Sequence, residues 1–142
     1  GKEEIGVELG KWLGQELSQI SEYKTIDVIV PVPLHKKRLR ERGYNQVEKF
    51  GIEIAKKLDA VYIDAVLKKK SYNKKQSKRD RSNRWVNTVE TFAVQNESLL
   101  CNKHILLVDD IVTTGATLES CAEVLKTIPG IKISIATMAL TE

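Results

Sequence analysis

A chain of 142 residues, 42% of them hydrophobic, suits one compact domain with a single core, residues 1–142, and leaves no length for a second catalytic unit. It has no run of 18 apolar residues for a membrane-spanning helix, and its start, Gly1-Lys2-Glu3-Glu4, lacks the basic-then-apolar order of a secretory signal. The net charge of +4 is small but concentrated: Lys68 to Arg84 holds nine Lys or Arg against one acid, Asp80, and a second cluster (Lys36, Lys37, Arg38, Arg40, Arg42) faces Glu41 alone, a distribution that attracts a phosphorylated small molecule or a nucleic acid.

In chain order, Ile5, Leu9, Trp12, Leu13, Leu17 and Ile20 recur at helical spacing and predict an amphipathic helix over residues 4–20. Ile26 to Val30 is a short apolar run stopped by Pro31 and Pro33, the pattern of a buried strand. Val47, Phe50, Ile54 and Leu58 mark a second helix from about Asn45 to Leu58, and Val61 to Leu67 reads as a second strand. Residues 68–90 are basic, polar and without period, too long for a simple connection, and are expected to be functional or mobile. A short strand is expected around Thr91 to Val94, and a central one at Ile105 to Val108. A helix comes next on Leu118, Cys121, Leu125 and Ile128, closed by Pro129-Gly130, and Ile131 to Leu140 is the last strand. Strands alternating with helices predict an open α/β fold, a mostly parallel sheet flanked by helices. Cys101 and Cys121 sit in apolar-leaning contexts without CxxC spacing, and read as reduced core thiols of a cytoplasmic protein.

In such folds ligands bind beyond the carboxyl ends of strands, which directs attention to the segments after Val30, Leu67 and Val108. The last of these carries the most specific chemistry. There the sequence reads Asp109-Asp110-Ile111-Val112-Thr113-Thr114-Gly115-Ala116-Thr117. Adjacent carboxylates at a strand end accept hydrogen bonds from vicinal hydroxyls such as those of a ribose. The small and hydroxylated residues behind them lead into a helix N-terminus, whose N–H groups and dipole suit a phosphate. Gly115 lets backbone approach the ligand, and Thr113, Thr114 and Thr117 add hydroxyl donors. Each residue alone fits an ordinary turn with a Thr cap. The whole string describes a site for a phosphorylated pentose.

The string resembles the phosphoribosyl pyrophosphate (PRPP) signature of type I phosphoribosyltransferases. Val30-Pro31-Val32-Pro33-Leu34-His35 and Arg42-Gly43-Tyr44-Asn45-Gln46 are similar to the ComF family of amidophosphoribosyltransferase-like late-competence proteins, as is the spacing of Gln76, Arg84, Asn87 and Phe92. Arg79 stands where that family usually has an aliphatic residue. The resemblance covers residues 26–140 and implies a type I phosphoribosyltransferase fold with a small hood and a flexible basic loop. The four-cysteine zinc ribbon common in ComF proteins is absent from this sequence. So is the N-terminal Cys nucleophile of glutamine-using amidophosphoribosyltransferases, and no glutaminase domain is expected.

By the same resemblance, Leu34, His35 and Lys36 form the pyrophosphate loop, and Asp109 and Asp110 with Thr113, Thr114, Gly115, Ala116 and Thr117 hold the ribose and 5′-phosphate. Lys68 to Asn87 is the catalytic loop, with Gln76, Arg84 and Asn87 at its marked positions and Arg84 as the catalytic cation beside Asp109 and Asp110. The implied reaction displaces pyrophosphate from C1 of PRPP by a nucleophile, usually nitrogen, with Mg²⁺ carried mainly by PRPP and no metal cluster of the protein's own. The alternative is a non-catalytic PRPP sensor or DNA-uptake accessory whose basic patches hold single-stranded DNA or a competence-machinery partner. The acceptor, which a variable hood drawn from residues 1–25 and the basic loop would recognise, and the oligomeric state are not readable from the sequence.

Overall fold

The computed structural model describes residues 2–34, 46–70 and 92–141. In chain order these form helix α1 (Lys2–Ser18), a 3₁₀ turn (Tyr23–Thr25), strand β1 (Val28–Pro31), helix α2 (Gln46–Leu58) and strands β2 (Val61–Tyr62), β3 (Leu67–Lys69) and β4 (Phe92–Val94). A 3₁₀ turn (Glu97–Leu99), β5 (His104–Val112), helix α3 (Ala116–Leu125) and β6 (Lys132–Leu140) complete them. The main sheet has the order β2-β1-β5-β6 with every pair parallel, while β3 and β4 pair antiparallel in a separate ribbon.

Parallel strands must be covered on both faces, and the alternation of side chains along β1 and β5 delivers two cores. Val28, Val30, Ile105 and Leu107 pack with Leu118, Cys121 and Leu125 of α3 and with Leu67 and Phe92 of the ribbon. Ile29, Leu106 and Val108 pack on the opposite face with Val47, Phe50 and Ile54 of α2 and Leu17 of α1. Ile29, Val30, Ile105 and Leu107 are fully buried, each contributing about 1.5–3 kcal/mol by leaving water.

The predicted strand over Val61 to Leu67 is two strands in two sheets. The backbone N–H of Ile63 still donates to Ile29 O, but at Ala65-Val66 the chain bends away, and Leu67 pairs with Val94 instead. Burial decides the split: Val66 and Leu67 reach the α3-side core only if they leave the β1 edge.

The face predicted for α1 is also corrected. Ile5, Trp12 and Ile20 stay exposed, while Gly6, Gly10, Gly14 and Leu17 are buried. A Cβ on Gly10 would lie 2.6 Å from Phe50 O, and one on Gly14 would lie 2.8 Å from Lys57 Cβ. The glycines let the two helix backbones nearly touch. Gly10 meets Phe50 and Gly14 meets Ile54 and Lys57, so α1 and α2 run parallel. Since α2 joins two parallel strands, it runs against them, and both helices begin at the carboxyl edge of the sheet. Residues 2–18, expected to contribute to a hood, therefore form a body layer over α2.

Candidate functional site

β5 outruns its neighbour β1. Pro31 is registered with Val108, the N–H of Val32 donates to Val108 O at 2.8 Å, and beyond that point β5 is paired only with β6 among the described residues. The acidic pair sits where that partner is lost. Asp109 and Asp110 were expected at the strand end, yet β5 continues through Ile111 and Val112, which are registered with Ala139 and Leu140. Two β-branched residues backed by a long neighbouring strand keep the backbone extended past the carboxylates.

The pair is held by its own backbone. The N–H of Asp110 donates to Asp109 Oδ1 at 2.8 Å, and the N–H of Ile111 donates to Asp110 Oδ1 at 2.7 Å. Asp109 is buried, with 8% of its surface exposed, and Asp110 is half-buried. The register also sets Thr137 of β6 abreast of Asp109 on the same face, a neighbour that only strand pairing reveals.

After Val112 the chain turns through Thr113, Thr114 and Gly115 into α3. Gly115 is the N-cap residue with φ +85°, where a side chain is strained, although a Cβ there would meet nothing within 4 Å. No side chain caps the helix from that position. Instead the N–H of Ala116 donates to Thr114 Oγ1 at 3.3 Å, and the helix's own ladder begins with Glu119 N–H on Gly115 O. Asp109 and every residue from Ile111 to Leu118 line one concavity of about 210 Å³ including its open mouth. The predicted Asp109, Thr113, Thr114, Gly115, Ala116 and Thr117 thus come together around one cup, with Asp110 adjacent in β5. A buried carboxylate at one rim and a helix N-terminus at the other can hold a ligand bearing both hydroxyls and a phosphate.

Leu34, half-buried, comes after β1 at the same carboxyl edge. His35, Lys36, Gln76, Arg84 and Asn87 lie outside the described residues, as does most of the basic loop. Among the described residues no group of three or more His, Cys, Asp or Glu could by itself hold a metal ion. Two carboxylates in succession are nevertheless a donor set that suits Mg²⁺ arriving on a phosphorylated ligand, since that ion binds through one or two carboxylates and keeps waters and substrate oxygens.

Sequence reasoning missed Tyr62, the last residue of β2. A Cβ on Gly51 would lie 2.6 Å from Tyr62 Cε2, so the ring occupies a notch that only glycine leaves open. The Tyr62 hydroxyl is buried without a hydrogen-bond partner. Burial, reinforced by the nearby Glu48 and Asp64 carboxylates, pushes its pKa well above the ordinary phenol value and keeps it protonated. The available signal was the alternation in Val61-Tyr62, which turns the tyrosine under α2.

The phosphoribosyl transferase domain family matches residues 48–141, a span that contains most of α2, the acidic pair, the turn from Thr113 to Gly115 and β6. The chain belongs to that family. Within it the chain is ComF-like. It is 37% identical over 98 residues to competence protein ComFC of Bacillus subtilis, covering 69% of this chain and 38% of that protein. It is 34% identical over 115 residues to ComFC of Streptococcus pneumoniae, covering 81% and 47%. The chain therefore spans less than half the length of these ComFC proteins. Among solved structures, the glutamine PRPP amidotransferase of B. subtilis complexed with ADP and GMP superposes with a TM-score of 0.59 at 18% identity, over 92% of this chain and 26% of that one. A purine phosphoribosyltransferase of Pyrococcus horikoshii gives 0.57 at 21% identity, over 95% and 73%. At such identities the superpositions establish the fold alone, and that fold is the type I phosphoribosyltransferase fold expected from the sequence.

Proposed function

We propose that this chain binds PRPP and transfers its phosphoribosyl group to a nitrogen nucleophile with release of pyrophosphate. The observation that carries this reading is the cup at the carboxyl end of β5, with the buried Asp109 on one side and the Gly115 turn into α3 on the other. In this reading Asp109 and Asp110 accept hydrogen bonds from the ribose hydroxyls. Residues 113–117 hold the 5′-phosphate by backbone N–H groups and Thr hydroxyls. The C1–oxygen bond to pyrophosphate breaks as the bond from the nucleophile to C1 forms, and the positive charge that develops on the ribose lies near the two carboxylates. Mg²⁺ travelling with PRPP would be met by Asp109 and Asp110 and would neutralise the leaving pyrophosphate. The chain's own contribution is positioning and fixed electrostatics.

A second reading is favoured by the likeness to proteins named for competence. The chain would then sense PRPP, or serve DNA uptake, without turnover, and Lys68 and Lys69 of β3 would begin a basic surface for single-stranded DNA. Two measurements separate these readings. A ligand at a hundredfold excess over Kd stabilises the fold by about 2.7 kcal/mol, so Mg²⁺-PRPP should raise the melting temperature by several degrees. Pyrophosphate release is then assayed with a panel of amines and nucleobases. A PRPP-dependent melting shift with no release from any acceptor supports the sensor; no shift at all defeats both PRPP readings.

A further inference from the structure

The two edges of the main sheet are unlike. β2 is only two residues long, the usual blunting of an edge that must not pair. β6 is nine residues long, and its outer side carries no strand among the described residues. From Ile133 to Leu140 it contains no charged residue and no proline, so within the strand the guards against edge pairing that a sequence can carry are reduced to Lys132 at its start. Ile135, in the middle of this strand, is 51% exposed. The N–H of Lys132 donates inward to Lys103 O, so alternation turns the N–H and C=O groups of Ile133, Ile135 and Thr137 outward. Among the described residues the sheet thus ends in an open row of backbone donors and acceptors beside an exposed isoleucine.

We propose that this chain forms a two-fold dimer by antiparallel pairing of β6 with β6 of a second copy, the axis passing through Ile135. A two-fold contact requires a self-complementary strand, and the sequence of β6 selects the register. Centred on Ile135, the two exposed isoleucines face each other as a directly opposed pair, roughly 5 Å apart at Cβ, and Ile133 lies opposite Thr137 of the second copy. Lys132 then lies opposite Met138, and the two Lys132 residues stand six positions apart, roughly 20 Å, beyond the reach of their mutual repulsion in physiological salt. Centring on Ile133 instead would bring the two lysines within two positions of each other. Centring on Thr137 would set Ile135 against Ala139 and forfeit the isoleucine pair. The chosen register joins two four-stranded sheets into one of eight strands. The partner sheets run in opposite directions, so the two cups open on opposite edges and each site stays complete within its own chain. The inference is therefore independent of whether the cup binds PRPP.

The test is sedimentation equilibrium over a range of protein concentrations, with amide hydrogen exchange on the same samples. The wild-type mass should rise from 16.0 kDa toward twice that value. The outward amides of Ile133, Ile135 and Thr137 should gain protection in step with the dimer. Ile135→Lys sets like charges in direct opposition and should weaken the dimer roughly 100-fold or more without lowering the melting temperature of the monomer. Ile135→Thr should weaken it less. A wild type that stays monomeric at every concentration overturns the proposal, as does a dimer indifferent to Ile135→Lys. Protection of the β6 amides that does not change with concentration also overturns it, because another strand or peptide would then cover the edge.

Discussion

Asp109 accepts a hydrogen bond through Oδ1 from the backbone N–H of Asp110, and Asp110 does the same for Ile111. Each carboxylate therefore has a scaffolding task and, in the proposed site, a ligand task, and one substitution can divide them. Asp110→Asn keeps an Oδ1 to accept from Ile111 and removes the charge. A charged hydrogen bond contributes about 1.5–3 kcal/mol, so PRPP affinity should fall roughly ten- to 150-fold. Stability should stay within about 0.5 kcal/mol of wild type, because the backbone contact survives and a carboxylate repulsion is relieved. Calorimetric titration and a melting curve on the same variant give the answer. Lost stability with intact PRPP affinity would reduce the pair to a structural turn.

The two glycine environments predict opposite causes for the same kind of damage. At Gly115 a Cβ has open space, but φ is +85°, so Gly115→Ala should cost about 1–2 kcal/mol through backbone strain alone. Gly10 lies inside a helix, where alanine should gain about 1 kcal/mol in propensity. Its Cβ, however, would stand 2.6 Å from Phe50 O, a backbone atom that can yield only by parting the helices. Gly10→Ala should be net destabilising by about 1 kcal/mol or more despite better propensity. Urea melts of both variants check this; a stabilised Gly10→Ala would mean the helices separate at little cost.

Tyr62→Phe removes a buried hydroxyl that has no hydrogen-bond partner. Leaving such a group unsatisfied costs about 1–3 kcal/mol, so its deletion should raise stability, by about 1 kcal/mol after the packing change. Chemical denaturation is the measurement. A clear loss of stability would show that the hydroxyl is satisfied in solution.

His104 lies at the amino edge of the sheet, away from the cup. Its ring Nδ1 is 2.7 Å from Thr25 Oγ1 and its Nε2 is 2.8 Å from Ser134 Oγ. Thr25 already spends its proton on Glu22 O, so Nδ1–H donates to Thr25 and Nε2 accepts from Ser134. Burial, with the Lys132 charge adding to it, lowers the His104 pKa against the opposing pull of Asp27 and Glu22. A base with a depressed pKa in the folded state contributes its full stability above the unfolded value of about 6.5 and loses it as pH falls through the folded one. Wild type should therefore be less stable at pH 5.5 than at 7.5 by a larger margin than His104→Gln. Equal margins in the two proteins would clear His104 of any role in the pH response.

Local chemistry wrote much of this protein into its sequence. The run Ile105 to Val108 reads as a strand buried on both faces, and Asp109 to Thr117 as the passage from that strand through a turn into a helix, because a strand, a turn and a helix N-terminus are short-range objects whose residue types follow from their own backbone needs. The string's family was legible for the same reason. Residues whose role depends on a partner distant in sequence were decided only by the tertiary structure. Ile5 and Trp12 satisfy helical period, yet the glycine face of α1 is the buried one, since close approach to Phe50 and Lys57 outweighs apolar area. Val61 to Leu67 has uniform strand propensity, but half of it pairs with β1 and half with β4, according to which core each residue can reach. Asp109 and Asp110 lie within β5 rather than at its end because β6 runs alongside to Leu140, and Tyr62 gains its enclosed hydroxyl from the missing side chain of Gly51. Period and propensity report what a residue prefers. Packing selects which preference is honoured, because each face of the sheet can be covered only once.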